Sequence, residues 1–372
     1  MDIADLLIQT KERGGSDLHL SAGASPMLRL HGELTPIDET PLSKEAVHKM
    51  IYEILKDEQR RQFEENRDLD FAIELGEVAR FRVNVFNQKN GEGAVFRVIP
   101  TQIRSFQELG LPEVMQTLAQ RENGLVLVTG PTGSGKSTTL AAMIDLVNTT
   151  AKKHIITLED PIEFVHRTKS CLVNQREIGT HTKSFAAALR AALREDPDVV
   201  LVGEMRDLET ISLALTAAET GHLVFGTLHT KSAPKTVDRI VDAFPPAQQQ
   251  QIRVQLSEAL QGVVSQILLP TKDKKGRVAA MEIMVATVAI RNLIREGKTH
   301  QMPSTIQTGT QLGMQSLEQA LKTLVMSGRV DRAHAETILQ SSGGASTTLG
   351  GPGGGAAGGA AGGGMAAGAR HG

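Results

Sequence analysis

Between residues 130 and 138 the chain reads Gly130-Pro131-Thr132-Gly133-Ser134-Gly135-Lys136-Ser137-Thr138. The first eight match G-x-x-x-x-G-K-[ST] at every fixed position. That pattern constrains the fold strongly, because it works only where a buried strand enters a tight turn and the turn opens a helix. Both flanks are present. Leu125-Val126-Leu127-Val128 is an apolar run, and residues 138–144 have helical composition. The glycines let backbone N–H groups turn inward around anionic oxygens, and the helix N-terminus adds partial positive charge. Lys136 is suited to the β- and γ-phosphates, and the Ser137 hydroxyl to Mg²⁺. The segment predicts binding of a nucleoside triphosphate.

Composition removes several alternatives. The 372 residues suffice for two domains and a tail. A formal net charge of −2 gives no global field for nucleic acid, and no Trp with a single Tyr leaves few stacking platforms for single strands. Cys171 is the sole cysteine, which excludes an internal disulfide and a multi-cysteine zinc module. The acidic N-terminus lacks a signal-peptide pattern, and no apolar run reaches the roughly 18 residues of a membrane span. The expectation is a soluble protein of a reducing compartment.

Residues 1–100 read as an α+β domain. It comprises a short helix over 3–11, a strand over 27–34, a helix over 44–65, a strand over 71–75, and a hairpin whose arms are 80–86 and 94–99. Asn90-Gly91 predicts the hairpin turn. Centred there, it sets Arg82 and Arg97 diagonally on one sheet face, about 7–8 Å apart. Residues 101–122 read as a linker. From 123 to 342, strands at 125–128, 154–158, 199–202 and 223–228 alternate with helices that include 185–194 and 208–219. This predicts an α/β domain with a mostly parallel sheet covered on both faces. Residues 248–268 and 287–340 read as further helices. Residues 343–372 hold 14 of the chain's 36 glycines and predict a flexible Gly/Ala tail without chemistry.

Three more segments end predicted strands, where an open parallel sheet gathers its ligands. Glu159, Asp160 and Glu163 crowd three carboxylates into five residues, useful beside Mg²⁺ or an attacking water. Residues 198–207 have the form of a Walker B strand, with Gly203 where an aspartate usually precedes the glutamate; Glu204 must serve the metal shell or the water alone. His222 and His229 bracket one apolar strand, His229 at the end facing the nucleotide and His222 at the opposite end.

Taken in order, the loop at 130–137, the acidic box at 159–163, the segment 201–207 and the paired histidines resemble the four boxes of the secretion and type IV pilus ATPases. The likeness spans about residues 1–345. Residues 289–296 (Ala-Ile-Arg-Asn-Leu-Ile-Arg-Glu) and the short first domain with Ser16-Asp17-Leu18-His19-Leu20 are similar to the pilus-retraction branch. Extension and type II secretion members usually carry a tetracysteine insert, which one cysteine rules out. The resemblance implies a RecA-like ATPase domain after a PAS-like domain, with ATP and Mg²⁺ between them. It implies a homohexamer that is cytoplasmic, peripheral at the inner membrane, and drives pilus retraction and twitching motility against a membrane platform protein. Lys136 and Ser137 would hold phosphate and metal, and Glu204 would be the Walker B acid. Glu163 would be the acid-box base, although the residues leave the choice between Glu163 and Glu204 open. His229 would sense the γ-phosphate, and Arg82 and Arg97 would close on the nucleotide. Within 289–296, Ile290, Leu293 and Ile294 form a buried stripe, leaving Arg291 and Arg295 free to face a partner or another part of the ring. Other RecA-like ATPases act in secretion or translocate nucleic acid, and a nucleotide-gated scaffold is a third reading.

Overall fold

The structure is a computed structural model and describes residues 2–30, 32–76, 79–99, 102–274 and 276–341. The Gly/Ala tail and Thr101, at the linker's start, lie outside these residues. The chain opens with α1 (Ile3–Glu12), β1 (Asp17–Ser21), β2 (Met27–Leu30), β3 (Glu33–Pro36), α2 (Lys44–Ile54), α3 (Asp57–Asn66), β4 (Asp68–Leu75), β5 (Ala79–Gln88) and β6 (Gly91–Ile99). The strands form an antiparallel sheet in the order β3-β2-β1-β6-β5-β4. Its inner face places Leu18, Leu28, Phe81, Val83, Val85 and Phe96 against the helices in one apolar cluster. Strand alternation sends Arg82 and Arg97 to the other face.

Three expectations for this region are corrected. The single strand at 27–34 is a tight hairpin of β2 and β3. The helix at 44–65 breaks into α2 and α3, because Leu55 and Lys56 take extended backbone. The β5–β6 loop is Lys89-Asn90, with Gln88 opposite Gly91. That places Arg82 directly opposite Arg97 instead of on a diagonal. Gly91 (φ +132°) begins the return strand, a conformation that L side chains rarely adopt.

The second half runs α4 (Phe106–Leu109), α5 (Val114–Ala119), β7 (Gly124–Thr129), α6 (Lys136–Thr150), β8 (His154–Glu159), β9 (Leu172–Glu177), α7 (Phe185–Ala192), β10 (Val199–Val202), α8 (Leu208–Glu219), β11 (Leu223–Leu228), α9 (Ala233–Asp242), α10 (Pro246–Ala259), β12 (Leu260–Pro270), β13 (Arg277–Val285), α11 (Val288–Arg295), α12 (Met302–Thr308), α13 (Leu317–Met326) and α14 (Arg332–Ser341). The sheet order is β13-β12-β7-β11-β10-β8-β9. All neighbours are parallel except the edge pair β12–β13.

Strands β7, β10 and β11 are buried at every residue, the mark of a sheet covered on both faces. Leu125 and Leu127 join the core shared with α7 to α12, whereas Val126 and Val128 join the core under α5 and α6. Helices α4 and α5 fall within the expected linker, yet Phe106, Met115 and Leu118 pack into the second of these cores. The helix expected over 248–268 ends at Ala259, and Leu260–Pro270 continues as a strand beside β7. Strands β9 and β13 had no counterpart in the sequence reading.

Candidate active site

The residues at 130–135 turn the end of β7 into the start of α6. Gly130, Gly133 and Gly135 have φ of +144°, +77° and +87°. At Gly130 a side chain is also excluded sterically, since a Cβ would overlap the Gln266 carbonyl oxygen and Ser134 Oγ. Gln266, on β12, braces the loop from below: its Nε2 donates to the Ser134 carbonyl at 2.7 Å, and its Oε1 accepts from Thr139 Oγ1 at 2.9 Å. Ser134 Oγ is buried without a hydrogen-bond partner. Lys136 is the first residue of α6, and its ammonium folds back onto the Gly130 and Pro131 carbonyls at 2.9 and 3.2 Å. Burial lowers the Lys136 pKa, and the charges of Glu204 and Glu163 work against that shift.

Parallel register gathers the other groups at the same sheet end. Glu159 closes β8, Glu204 follows β10 by two residues, and His229 follows β11 directly. His229 Nε2 lies 2.9 Å from Glu204 Oε1, and its Nδ1 lies 3.5 Å from Lys136 Nζ. The imidazole therefore bridges the carboxylate and the loop lysine. Arg206 also pairs with Glu204, which raises the arginine's pKa. Glu159 is nearly buried. Thr157 Oγ1 donates to it at 2.6 Å and Gln175 Nε2 at 3.1 Å, and the Glu163 backbone N–H approaches at 3.4 Å. Burial nonetheless pushes the Glu159 carboxyl above its ordinary value, outweighing those hydrogen bonds.

These groups enclose a cavity of about 350 Å³. Thr132, Gly133, Gly135, Lys136, Ser137 and Thr138 form one wall, and Glu159, Asp160, Glu163, Glu204 and His229 form the other. Gly130 and Pro131 shape the loop behind it and receive the lysine. Sequence reasoning did not single out Phe185, Leu268 and Arg277, which also line the cavity, or Gln266 beneath it. Gln266, Leu268 and Arg277 come from β12 and β13, one read as helix and the other unread.

Arg82 and Arg97 are not part of this cavity, whose described lining lies wholly within residues 132–277. Arg97 Nε contacts Asp17 Oδ1 at 2.8 Å, and Arg82 Nε lies 3.9 Å from Asp70 Oδ1. Burial pushes the Asp17 carboxyl up, but the Ser16 hydroxyl and Arg97 together outweigh it and leave it below the ordinary value. His222 sits at the far end of β11, with Nδ1 3.0 Å from the Ala217 carbonyl. Arg291 also differs from expectation. It is not free: Nε donates to the Ala286 carbonyl at 2.9 Å, and Nη1 donates to the Ser257 carbonyl and, at 2.7 Å, to that of Glu258. It caps the C-terminus of α10.

The family described as type II/IV secretion system protein matches residues 2–337. The chain belongs to that family. Within it, the chain is 59% identical over 335 residues to the type IV pilus retractation ATPase PilT of Pseudomonas aeruginosa, covering 90% of this chain and 97% of the relative. It is 55% identical over 325 residues to the twitching motility protein of Neisseria gonorrhoeae, with 87% of each covered. The solved structure of the pilus retraction motor PilT with bound ADP superimposes with a TM-score of 0.86 at 50% identity, covering 91% of this chain and 96% of that one. The Legionella pneumophila ATPase DotB gives 0.78 at 30% identity, over 90% and 94%. The family boxes thus converge on one cavity, His222 excepted, and the fold is the RecA-like sheet preceded by the smaller α+β domain that the resemblance implied.

Proposed function

We propose that this chain is an ATP-hydrolysing motor that drives type IV pilus retraction, and hence twitching motility. The observation that carries it is the 59% identity to a retraction ATPase across 97% of that relative. The local chemistry agrees. A phosphate loop, a lysine, four carboxylates and a histidine meet in one cavity beside a helix N-terminus. Among the described residues no group of three or more His, Cys, Asp or Glu could hold a metal ion. The donors at the cavity are oxygens, the Ser137 hydroxyl with Glu204, and they suit Mg²⁺ shared with phosphate and water. When bound, that ion would neutralise charge on the β/γ-phosphates.

The roles then follow. Residues 130–138 cradle the phosphates, with Lys136 turning from the Gly130 and Pro131 carbonyls to the anion. Glu204 serves the metal shell, and Glu204 or Glu163 orients the attacking water. His229, between Glu204 and Lys136, reports the γ-phosphate. Arg82 and Arg97 reach the nucleotide only on domain closure. The assembly is a homohexamer acting on an inner-membrane platform protein from the cytoplasmic side; among the described residues no helix is long and apolar enough to cross a membrane. The test is complementation of a retraction-deficient, piliated strain. Wild type should restore twitching and Lys136→Gln should not. Failure of the wild-type chain, expressed and folded, would refute the assignment.

A further inference from the structure

Glu177 ends β9 on the far side of the acidic box from the phosphate loop, and its carboxylate is 6% exposed. Three groups meet it. Arg80 Nη2, from β5 of the first domain, lies 3.2 Å from Oε2. The Ile162 backbone N–H donates to the same oxygen at 3.0 Å. Thr180 Oγ1 donates to Oε1 at 3.0 Å. The Arg80 side chain is 11% exposed. This is a nearly buried ion pair between the domains, and its carboxylate also holds the backbone of the acidic turn. Ile162 directly precedes Glu163, whose own N–H approaches Glu159. One carboxylate thus contacts both the first domain and the residue beside a catalytic candidate.

We propose that Arg80 and Glu177 are positioning residues that tie the placement of the first domain to the geometry of the acidic turn, so that Glu163 is aligned only when the Arg80–Glu177 pair is formed. The proposal rests on the hydrolytic reading above. The burial and directness of the link support it. A buried pair is costly to break one-sidedly, and here one contact, Arg80 Nη2 to Glu177 Oε2, joins the first domain to the oxygen that also holds the Ile162 N–H. A shift of about 1 Å in a catalytic group can cost on the order of 10²-fold in rate.

The experiment uses the full chain with Arg80→Met, Arg80→Lys, Glu177→Gln and Glu177→Ala. Steady-state ATP turnover is combined with amide hydrogen exchange of the peptide spanning 159–166. Arg80→Met and Glu177→Ala should lower kcat about 10-fold or more while KM stays within about twofold, since the nucleotide-binding loop is untouched. Glu177→Gln keeps an acceptor for Ile162 and should lose less than Glu177→Ala. Arg80→Lys keeps the charge and should fall between wild type and Arg80→Met. Exchange at 159–166 should rise about threefold or more in Arg80→Met. Wild-type kcat in both truncations, no advantage of Arg80→Lys over Arg80→Met, or unchanged exchange at 159–166 would each overturn the link. A wild-type chain without turnover would instead defeat the hydrolytic reading, and the exchange measurement alone would then decide the link.

Discussion

Replacing Arg291 by alanine should destabilise the second half of the chain far more than the same change at Arg295, four residues on along one helix. The Arg291 guanidinium satisfies three carbonyls, two of them in the last turn of α10, where the helix has no partners of its own. A hydrogen bond from a charged donor contributes about 1.5–3 kcal/mol. Burial opposes the charged form of Arg291, as do the charges of Arg121 and Arg295, so a value below that range, near the ~1 kcal/mol of a neutral hydrogen bond, is appropriate. Taking ~1 kcal/mol for each carbonyl gives a loss of about 3 kcal/mol. For a unit of this size, 1 kcal/mol moves the unfolding midpoint by about 2–4 °C, so Arg291→Ala should melt roughly 6–12 °C lower. The Arg295 guanidinium donates to Asn292 on its own helix, a contact of at most about 0.5 kcal/mol. Scanning calorimetry of both variants decides the matter. A midpoint within about 2 °C of wild type for Arg291→Ala, or equal shifts at the two sites, would refute the capping role. It also follows that loss of motility on changing Arg291 reports damage to the fold before it reports a lost partner.

Further expectations concern the loop, the arginines and pH. Gly130→Ala should abolish nucleotide binding, because the new Cβ meets the Gln266 carbonyl oxygen and Ser134 Oγ; fluorescent-nucleotide titration with wild-type affinity would contradict this. Arg82→Ala should keep the melting midpoint but lower turnover by about 10³–10⁵-fold if it closes on phosphate, whereas Arg97→Ala should also lose stability by stranding the buried Asp17; near-normal turnover in both would remove them from the site. Burial lowers the His166 pKa from 6.5 to about 4, so the unfolded chain takes up this proton first and stability is lost as pH falls through that window. The loss amounts to about 3 kcal/mol, and His166→Gln should flatten the acid limb of a denaturation-versus-pH profile; an unaltered limb would show that His166 is not its source.

What the sequence revealed depended on how completely each segment was buried. β7, β10 and β11 are apolar at nearly every position and enclosed on both faces, so their bounds were legible. The loop and the three boxes were legible for a related reason, since each follows one of the inner strands or β8. The edge of the sheet was not. Leu260–Pro270 mixes apolar residues with Gln261, Gly262, Ser265 and Gln266 directly after a helix, and periodicity cannot separate a short strand from a continued helix there. That ambiguity hid Gln266, whose importance lies in touching a loop 132 residues away. A one-residue shift of the β5–β6 loop sufficed to turn a diagonal arginine pair into a direct one. Glu177 carried no local signal, and the helical pattern that singled out Arg291 could not show its capping role, because the decisive partners, Arg80 for one and Ser257 and Glu258 for the other, come from distant chain segments.

The central claim is hydrolysis of ATP at the cavity around Lys136, and the most direct measurement is turnover of the purified chain with Mg²⁺ beside Lys136→Gln and Glu204→Gln, with nucleotide binding measured on the same samples. The wild type should hydrolyse ATP. Lys136→Gln should be folded and inactive, having lost the charge on the β/γ-phosphates. Glu204→Gln should still bind ATP while kcat falls by about 10²-fold or more, as expected for a group acting mainly in the transition state. A folded wild-type chain without turnover, or Lys136→Gln turning over at the wild-type rate, would contradict the account.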